Sequence, residues 1–154
     1  MSGLTHISLP NYTLIGASLG GLYTSIYIPE LDSVFDAGLP IRSASMASRL
    51  FLSHAHLDHM GALPALLGMR GMMGKGDLPL DLFCPYGVQK DLEELLNVFA
   101  RMHSFKLPIH WHPLHPDEEV QIKKNTYVKA LKTFHPVPSL GYLWYDKVQK
   151  LKDE

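Results

Sequence analysis

Arg49-Leu50-Phe51-Leu52-Ser53-His54-Ala55-His56-Leu57-Asp58-His59 is the stretch that decides the fold. Arg49 to Leu52 reads as a short apolar strand, and it runs directly into a loop dense in metal-binding side chains. His54, His56, Asp58 and His59 lie within six residues. Imidazole nitrogens and carboxylate oxygens are the ligands a borderline-soft divalent ion such as zinc takes, at roughly 2.0–2.2 Å. An H-x-H pair at a strand end can put both rings on one side. Asp58 and His59, in the turn after it, can then reach a second ion beside the first. A polar loop with no metal role seldom packs four such side chains so closely. The segment from Gly61 to Met69, packed through Leu63, Leu66 and Leu67, predicts a helix whose N-terminus faces the loop and favours anionic ligands.

Upstream, Tyr12 to Ile15 and Leu22 to Ile28 are β-branched and aromatic runs, with Gly20-Gly21 between them as a hairpin turn. Val34-Phe35-Asp36 is a further strand, closed by Ala37-Gly38. Downstream, strands are expected at Leu80 to Cys84, Val120 to Lys123, Tyr127 to Phe134 and Gly141 to Tyr145. Val88, Leu92, Leu95, Leu96, Phe99 and Met102 form a helical stripe. Strands and helices alternate, so the fold class is α/β with a mixed sheet. The chain has 154 residues, 46% of them hydrophobic, which fits one globular domain with a real core. A formal charge of -1 offers no global attraction for nucleic acid, which would need a local basic patch. The single cysteine, Cys84, excludes an internal disulfide framework, suits a reducing cytoplasm and reads as a core residue. The apolar runs are too short and interrupted for a membrane span, and no signal peptide opens the chain.

Ser53 to Pro64, Ser-His-Ala-His-Leu-Asp-His-Met-Gly-Ala-Leu-Pro, resembles the H-x-H-x-D-H signature of the metallo-β-lactamase superfamily. Asp36-Ala37-Gly38 resembles the D-x-G that precedes it there. His135-Pro136-Val137-Pro138-Ser139-Leu140-Gly141-Tyr142 resembles the motif carrying the next metal-binding histidine in ribonuclease Z. Lys150 to Glu154 resembles the segment C-terminal to that motif in ribonuclease Z-like proteins. The resemblance implies an αββα sandwich and two zinc sites. His54, His56 and His135 would hold one zinc; Asp58 and His59 would contribute to the second. Asp36 would support the ligand loop from behind. Two ions about 3.5–4 Å apart position a bridging hydroxide and stabilise both oxygens of an in-line displacement. The implied reaction is hydrolysis of phosphodiester bonds by metal-bound hydroxide, at the 3′ side of transfer-RNA precursors. Asp58 is the implied catalytic residue, orienting or deprotonating the water as well as binding metal.

Two departures qualify the likeness. Gly38-Leu39-Pro40-Ile41-Arg42 stands where ribonuclease Z has an acidic, Gln-containing continuation. In addition, the family's bridging aspartate and last metal-binding histidine come from a second half of the fold, and no residue after His135 replaces them. Residues 1–154 are therefore expected to be one metallo-β-lactamase-like domain, incomplete at its C-terminal end. Such a half would be weakly active alone, and would bind a C-terminal half or self-associate through an apolar sheet face built from Val34, Leu50, Leu52, Leu82, Val128, Leu131 and Phe134. The alternatives are another hydrolase of the superfamily, acting on a thioester or lactone, or a catalytically incomplete subunit.

Two other segments call for a reading. His110-Trp111-His112-Pro113-Leu114-His115 has no carboxylate or thiolate near it in sequence and reads as a polar strand end and turn. Gly68 to Gly76, rich in methionine and glycine, reads as a flexible connector rather than a flap whose Arg70 and Lys75 touch phosphates. Lys147, Lys150 and Lys152 form a small basic cluster, most simply a solvated face.

Overall fold

Val34, Leu50 and Leu82 stand side by side on three adjacent strands, and Phe35, Phe51 and Phe83, one residue further on, do the same. Successive strand residues point to opposite faces, so one trio lines each face. Both faces are apolar, and both must be covered.

The computed structural model describes residues 3–104 and 108–148. The larger sheet contains β1 (Thr5–Ser8), β2 (Thr13–Leu19), β3 (Tyr23–Ile28), β4 (Ser33–Phe35), β5 (Arg49–Phe51), β6 (Leu80–Pro85) and β7 (Ile109–Leu114), in that spatial order. β1 to β4 pair antiparallel, whereas β4 to β7 pair parallel. Helices α1 (Leu57–Met60), α2 (Leu63–Arg70) and α3 (Gln89–His103) lie in the crossovers of the parallel part. Their residues Met60, Leu63, Leu66, Leu92 and Leu96 pack with Val34, Leu50 and Leu82 in one core. A smaller antiparallel sheet, β8 (Glu119–Lys123), β9 (Thr126–Lys132) and β10 (Leu140–Asp146), covers the opposite face.

Between the sheets Phe51 stacks on Phe83 at 4.5 Å between ring centroids, and Trp144 meets Phe51 edge-on at 5.5 Å. Val128, Ala130 and Leu140 close that second core. The result is a helix layer and two sheets, a mixed α/β sandwich as the sequence predicts. No helix among the described residues is long and apolar enough to cross a membrane.

Several expectations need correction. The helix expected from Gly61 to Met69 is present as Leu63–Arg70, and a short helix not expected from the sequence, Leu57–Met60, precedes it inside the histidine loop. Pro64 has no amide hydrogen and suits a fresh helix start, so α2 opens around it. β1 adds to the expected strands, and it places His6 opposite Ile15. His110 to Leu114 is strand throughout as the parallel edge strand β7. Only the Val88, Leu92 and Leu96 edge of the α3 stripe is buried; Leu95 and Met102 stay exposed.

The apolar surface expected to lie open is mostly closed. Val34, Leu50, Leu52 and Leu82 are covered by the helix layer, and Val128 by the larger sheet. Only Leu131 and Phe134 of that set are exposed, at 38% and 94%. The sandwich already has three layers, so the face left open is the outer side of the smaller sheet, where Leu131 and Leu143 stand. Lys150, Lys152 and the stretch Lys150 to Glu154 lie outside the described residues.

The Met-Gly connector is a helical turn over Gly71–Lys75 that kinks at Met73 and Gly74, where Gly74 has φ +80°, rather than a loose loop. Arg70, 3% exposed, anchors it. Its guanidinium donates to the carbonyls of Ser45 (3.1 Å), Ala47 and Leu78 (3.3 Å), and Lys75 donates to the Met46 carbonyl. Neither cation is free to meet a phosphate. Arg70→Ala would strand those buried carbonyls, and we expect a loss of about 3 kcal/mol in urea unfolding, since hydrogen bonds from charged groups are worth about 1.5–3 kcal/mol. An unchanged unfolding midpoint would show that the clamp contributes nothing.

Candidate metal centre

The centre is built on a carboxylate at the end of β4. Asp36 has φ +57°, a left-handed conformation that Asp tolerates better than most residues. That twist turns the chain out of the sheet and lays Ala37-Gly38 against α1. The Ala37 amide donates to the His59 carbonyl at 2.6 Å, and the Gly38 amide to the Thr24 carbonyl at 2.9 Å. A Cβ on Gly38 would lie 1.8 Å from the Asp58 carbonyl oxygen, so no side chain fits there. The D-x-G motif thus supplies both a carboxylate under the loop and the close approach that holds the loop down.

Asp36 Oδ1 accepts the Ser53 amide at 2.7 Å, and its Oδ2 accepts the Ser53 hydroxyl at 2.9 Å and His59 Nδ1 at 2.8 Å. These bonds set the tautomers. His59 carries its proton on Nδ1, leaving the Nε2 lone pair outward. The Ser53 hydroxyl has one hydrogen, which goes to Asp36, so it accepts from His54 Nδ1 at 2.9 Å. His54 Nε2 is left as a ligand atom in the same way. Burial pushes the Asp36 pKa above its usual value, and the Ser53 amide, His59 and the Ser53 hydroxyl oppose that rise.

The downstream motif is strapped to the same loop. The Leu140 amide donates to the Ser53 carbonyl at 2.9 Å, Ser139 bridges to His54, and the Tyr142 hydroxyl donates to the Leu52 carbonyl at 2.7 Å. These contacts carry His135 to the loop, its ring 4.3 Å from that of His54 and 4.8 Å from that of His56. Two sets of potential ligands result: His54, His56 and His135, and His54, Asp58 and His59, each with its ligand atoms within 4.8 Å of one another.

These residues fit a divalent metal. Burial, then the neighbouring His59, His135 and His56, lower the His54 pKa to about 4, with Asp58 opposing. His54 is therefore a neutral ligand at ordinary pH. Asp58 Oδ2 accepts the Gly21 amide at 3.0 Å and lies 3.5 Å from His59 Nε2. Desolvation works to raise the Asp58 pKa, but the Gly21 amide, its own amide and the imidazoles of His59 and His54 hold it below the usual carboxylate value.

The structure brings together all six residues singled out from the sequence: Asp36, His54, His56, Asp58, His59 and His135. Three further contributors lie outside that set. Ser53 is visible in the signature itself, whereas the Gly21 amide and the Tyr142 hydroxyl act across the fold and leave no local sequence signal.

Removing the buried carboxylate should loosen the ligands it orients. Asp36→Ala and Asp36→Gly should each weaken zinc binding about 10–100-fold, the usual cost of losing such a supporting hydrogen bond. Competition with a chromophoric chelator measures this. Glycine keeps the left-handed backbone accessible, so full affinity in Asp36→Gly would assign the effect to backbone conformation instead.

Comparison with known proteins agrees with this geometry. A family described as Beta-lactamase superfamily domain matches residues 31–150. Nuclear ribonuclease Z of Triticum aestivum is 35% identical over 148 residues, covering 96% of this chain and 83% of that protein. The chloroplastic tRNase Z TRZ2 of Arabidopsis thaliana is 34% identical over 148 residues, covering 96% of this chain but 41% of its own length. The chain thus spans less than half of the second relative and most of the first. Among solved structures, human tRNase Z, short form, superposes with a TM-score of 0.57 at 18% identity, over 94% of this chain and 61% of that one. The metallo-beta-lactamase fold protein YhfI of Bacillus subtilis gives 0.54 at 20% identity, over 88% and 51%. These two show the shared fold. With the D-x-G carboxylate, the histidine loop and the strapped His135 in place, the chain belongs to the β-lactamase superfamily and, within it, to the ribonuclease Z family.

Proposed function

We propose that this protein is a zinc-dependent phosphodiesterase that acts in 3′ processing of transfer-RNA precursors. The observation that carries this proposal is the convergence of two ligand sets on the shared imidazole of His54. His54, His56 and His135 would hold one ion; Asp58 and His59, with His54 beside them, would contribute to the second. Four imidazoles and one carboxylate form a borderline donor set suited to zinc. Bound there, a pair of such ions would stabilise the attacking and leaving oxygens of an in-line phosphodiester displacement.

The chain's own residues supply positioning and proton handling. Asp36 and Ser53 fix the ring orientations. Asp58 is held through Oδ2 by the Gly21 amide, leaving Oδ1 to orient the attacking water or take its proton. The buried thiol of Cys84 suits a reducing compartment such as the cytoplasm. The names of the relatives support a transfer-RNA substrate. The outer face of the smaller sheet, with Leu131 and Leu143 exposed, would be covered in the active form by a C-terminal half or a second copy of the chain.

His56→Ala leaves the first set with two imidazoles, and elemental analysis should show that most bound zinc is gone; equal zinc in both proteins would sink the assignment. The chain alone should cleave bis(p-nitrophenyl) phosphate and transfer-RNA precursors little or not at all. Co-expressed with the C-terminal half of a full-length ribonuclease Z, it should gain zinc-dependent cleavage that Asp58→Ala abolishes. Cleavage that survives Asp58→Ala would contradict the proposed role of that carboxylate.

A further inference from the structure

A second group of imidazoles lies away from the histidine loop, where the fold supplies the carboxylate that the local sequence lacks. His110 and His112 are two residues apart on β7, so both point to one face of the sheet. On the neighbouring strand β6, Asp81 pairs with His110 and Phe83 with His112. Asp81 Oδ1 lies 3.1 Å from His112 Nε2 and 3.4 Å from His110 Nδ1. The His112 ring is stacked on Phe83 at 4.4 Å between centroids and 14° between planes, so its orientation is fixed. The nearby cation Arg49, which pairs with Asp81 in the register on the other side, is directed to Asp32 at 3.8 Å. Asp81 and His110 are each the second residue of their strands, whereas the histidine loop comes after the last residue of the parallel strand β5. Asp81 and His110 therefore stand level with Arg49 at the start of β5, and His112 stands level with Phe51 but two strands away, so the group is separate from the loop.

We infer that Asp81, His110 and His112 form a separate cross-strand site for a borderline divalent cation of the zinc class. Two imidazoles and a carboxylate are the donors such an ion takes, and ligand atoms at about 2.1 Å in tetrahedral array stand about 3.4 Å apart. Both measured separations from Asp81 Oδ1 are close to that edge length. The three ligand atoms are not as close together as those of the histidine-loop sets, which all lie within 4.8 Å of one another, so His110, whose side chain is 64% exposed, has to turn to close the site. The remaining positions around the ion would be filled by water, which makes this the weaker of the protein's metal sites. Its consequence is mechanical: β7 is an edge strand of the larger sheet, held on one side by β6, and an ion shared by the two strands would pin that edge.

The site is tested by zinc titration against a chromophoric chelator, using wild type, His56→Ala, Asp81→Asn and the double variant His110→Ala/His112→Ala. Wild type and His56→Ala should each bind about one weak equivalent that the double variant lacks, since simple mass action counts each independent site separately. Asp81→Asn should weaken that equivalent and leave the tighter zinc untouched. Hydrogen exchange gives an independent readout: zinc should slow exchange of the β7 amides in His56→Ala and not in the double variant. Identical zinc stoichiometry and affinity in wild type and the double variant would overturn the site, as would β7 exchange indifferent to zinc. Either failure would leave the histidine loop and its proposed function standing, because His56→Ala reports on that centre alone.

Discussion

The metal centre depends on one buried carboxylate. Asp36 sits beneath the histidine loop, accepts the amide and hydroxyl of Ser53 and the Nδ1 hydrogen of His59, and through Ser53 governs His54. Without it the rings could rotate, and the nitrogens facing outward would no longer be determined. Its position requires a backbone conformation that few residues tolerate, with a glycine two residues on that lets the chain touch α1. The chain accepts both costs at the same place, which is where function, rather than stability, sets the local geometry.

The sandwich keeps that geometry stiff. Leu50 and Phe51 are adjacent in sequence yet belong to different cores, one under the helices and one between the sheets. β5, which delivers the loop, is therefore gripped from both sides. The smaller sheet adds more than cover: through Leu140, Ser139 and Tyr142 it is bonded to the last residues before and within the loop. A shift of the two sheets would move His135 away from His54 and His56. Packing energy in the aromatic layer thus becomes positional accuracy at the centre.

Much of this is legible in the residues. The ligands His54, His56, Asp58 and His59 fall within six residues, and short-range spacing is what a sequence displays best. The central strands are legible because apolar runs between turn signals have few other interpretations. The errors share a cause, which is that coverage and pairing are properties of the whole fold. Sequence alone leaves Val34 and Leu82 on an open face, because nothing in their own strands says that α1, α2 and α3 return to one side. It reads His110 to His115 as a strand end and turn because Pro113 and Pro116 suggest one, although an edge strand accepts proline where no ladder bond is needed. The segment around Arg70 reads as a flexible connector, and only its place beneath the Ser43–Met46 turn shows that the Arg70 guanidinium is spent on backbone carbonyls.

The most direct test is anomalous diffraction at the zinc edge from a crystal of the protein. The strongest peak should lie within bonding distance of His54, His56 and His135, with any second peak on the side of Asp58 and His59, and with Asp36 outside bonding range behind the ligands. A histidine loop without an anomalous peak, in crystals grown with zinc, would contradict the metal centre and the function built on it.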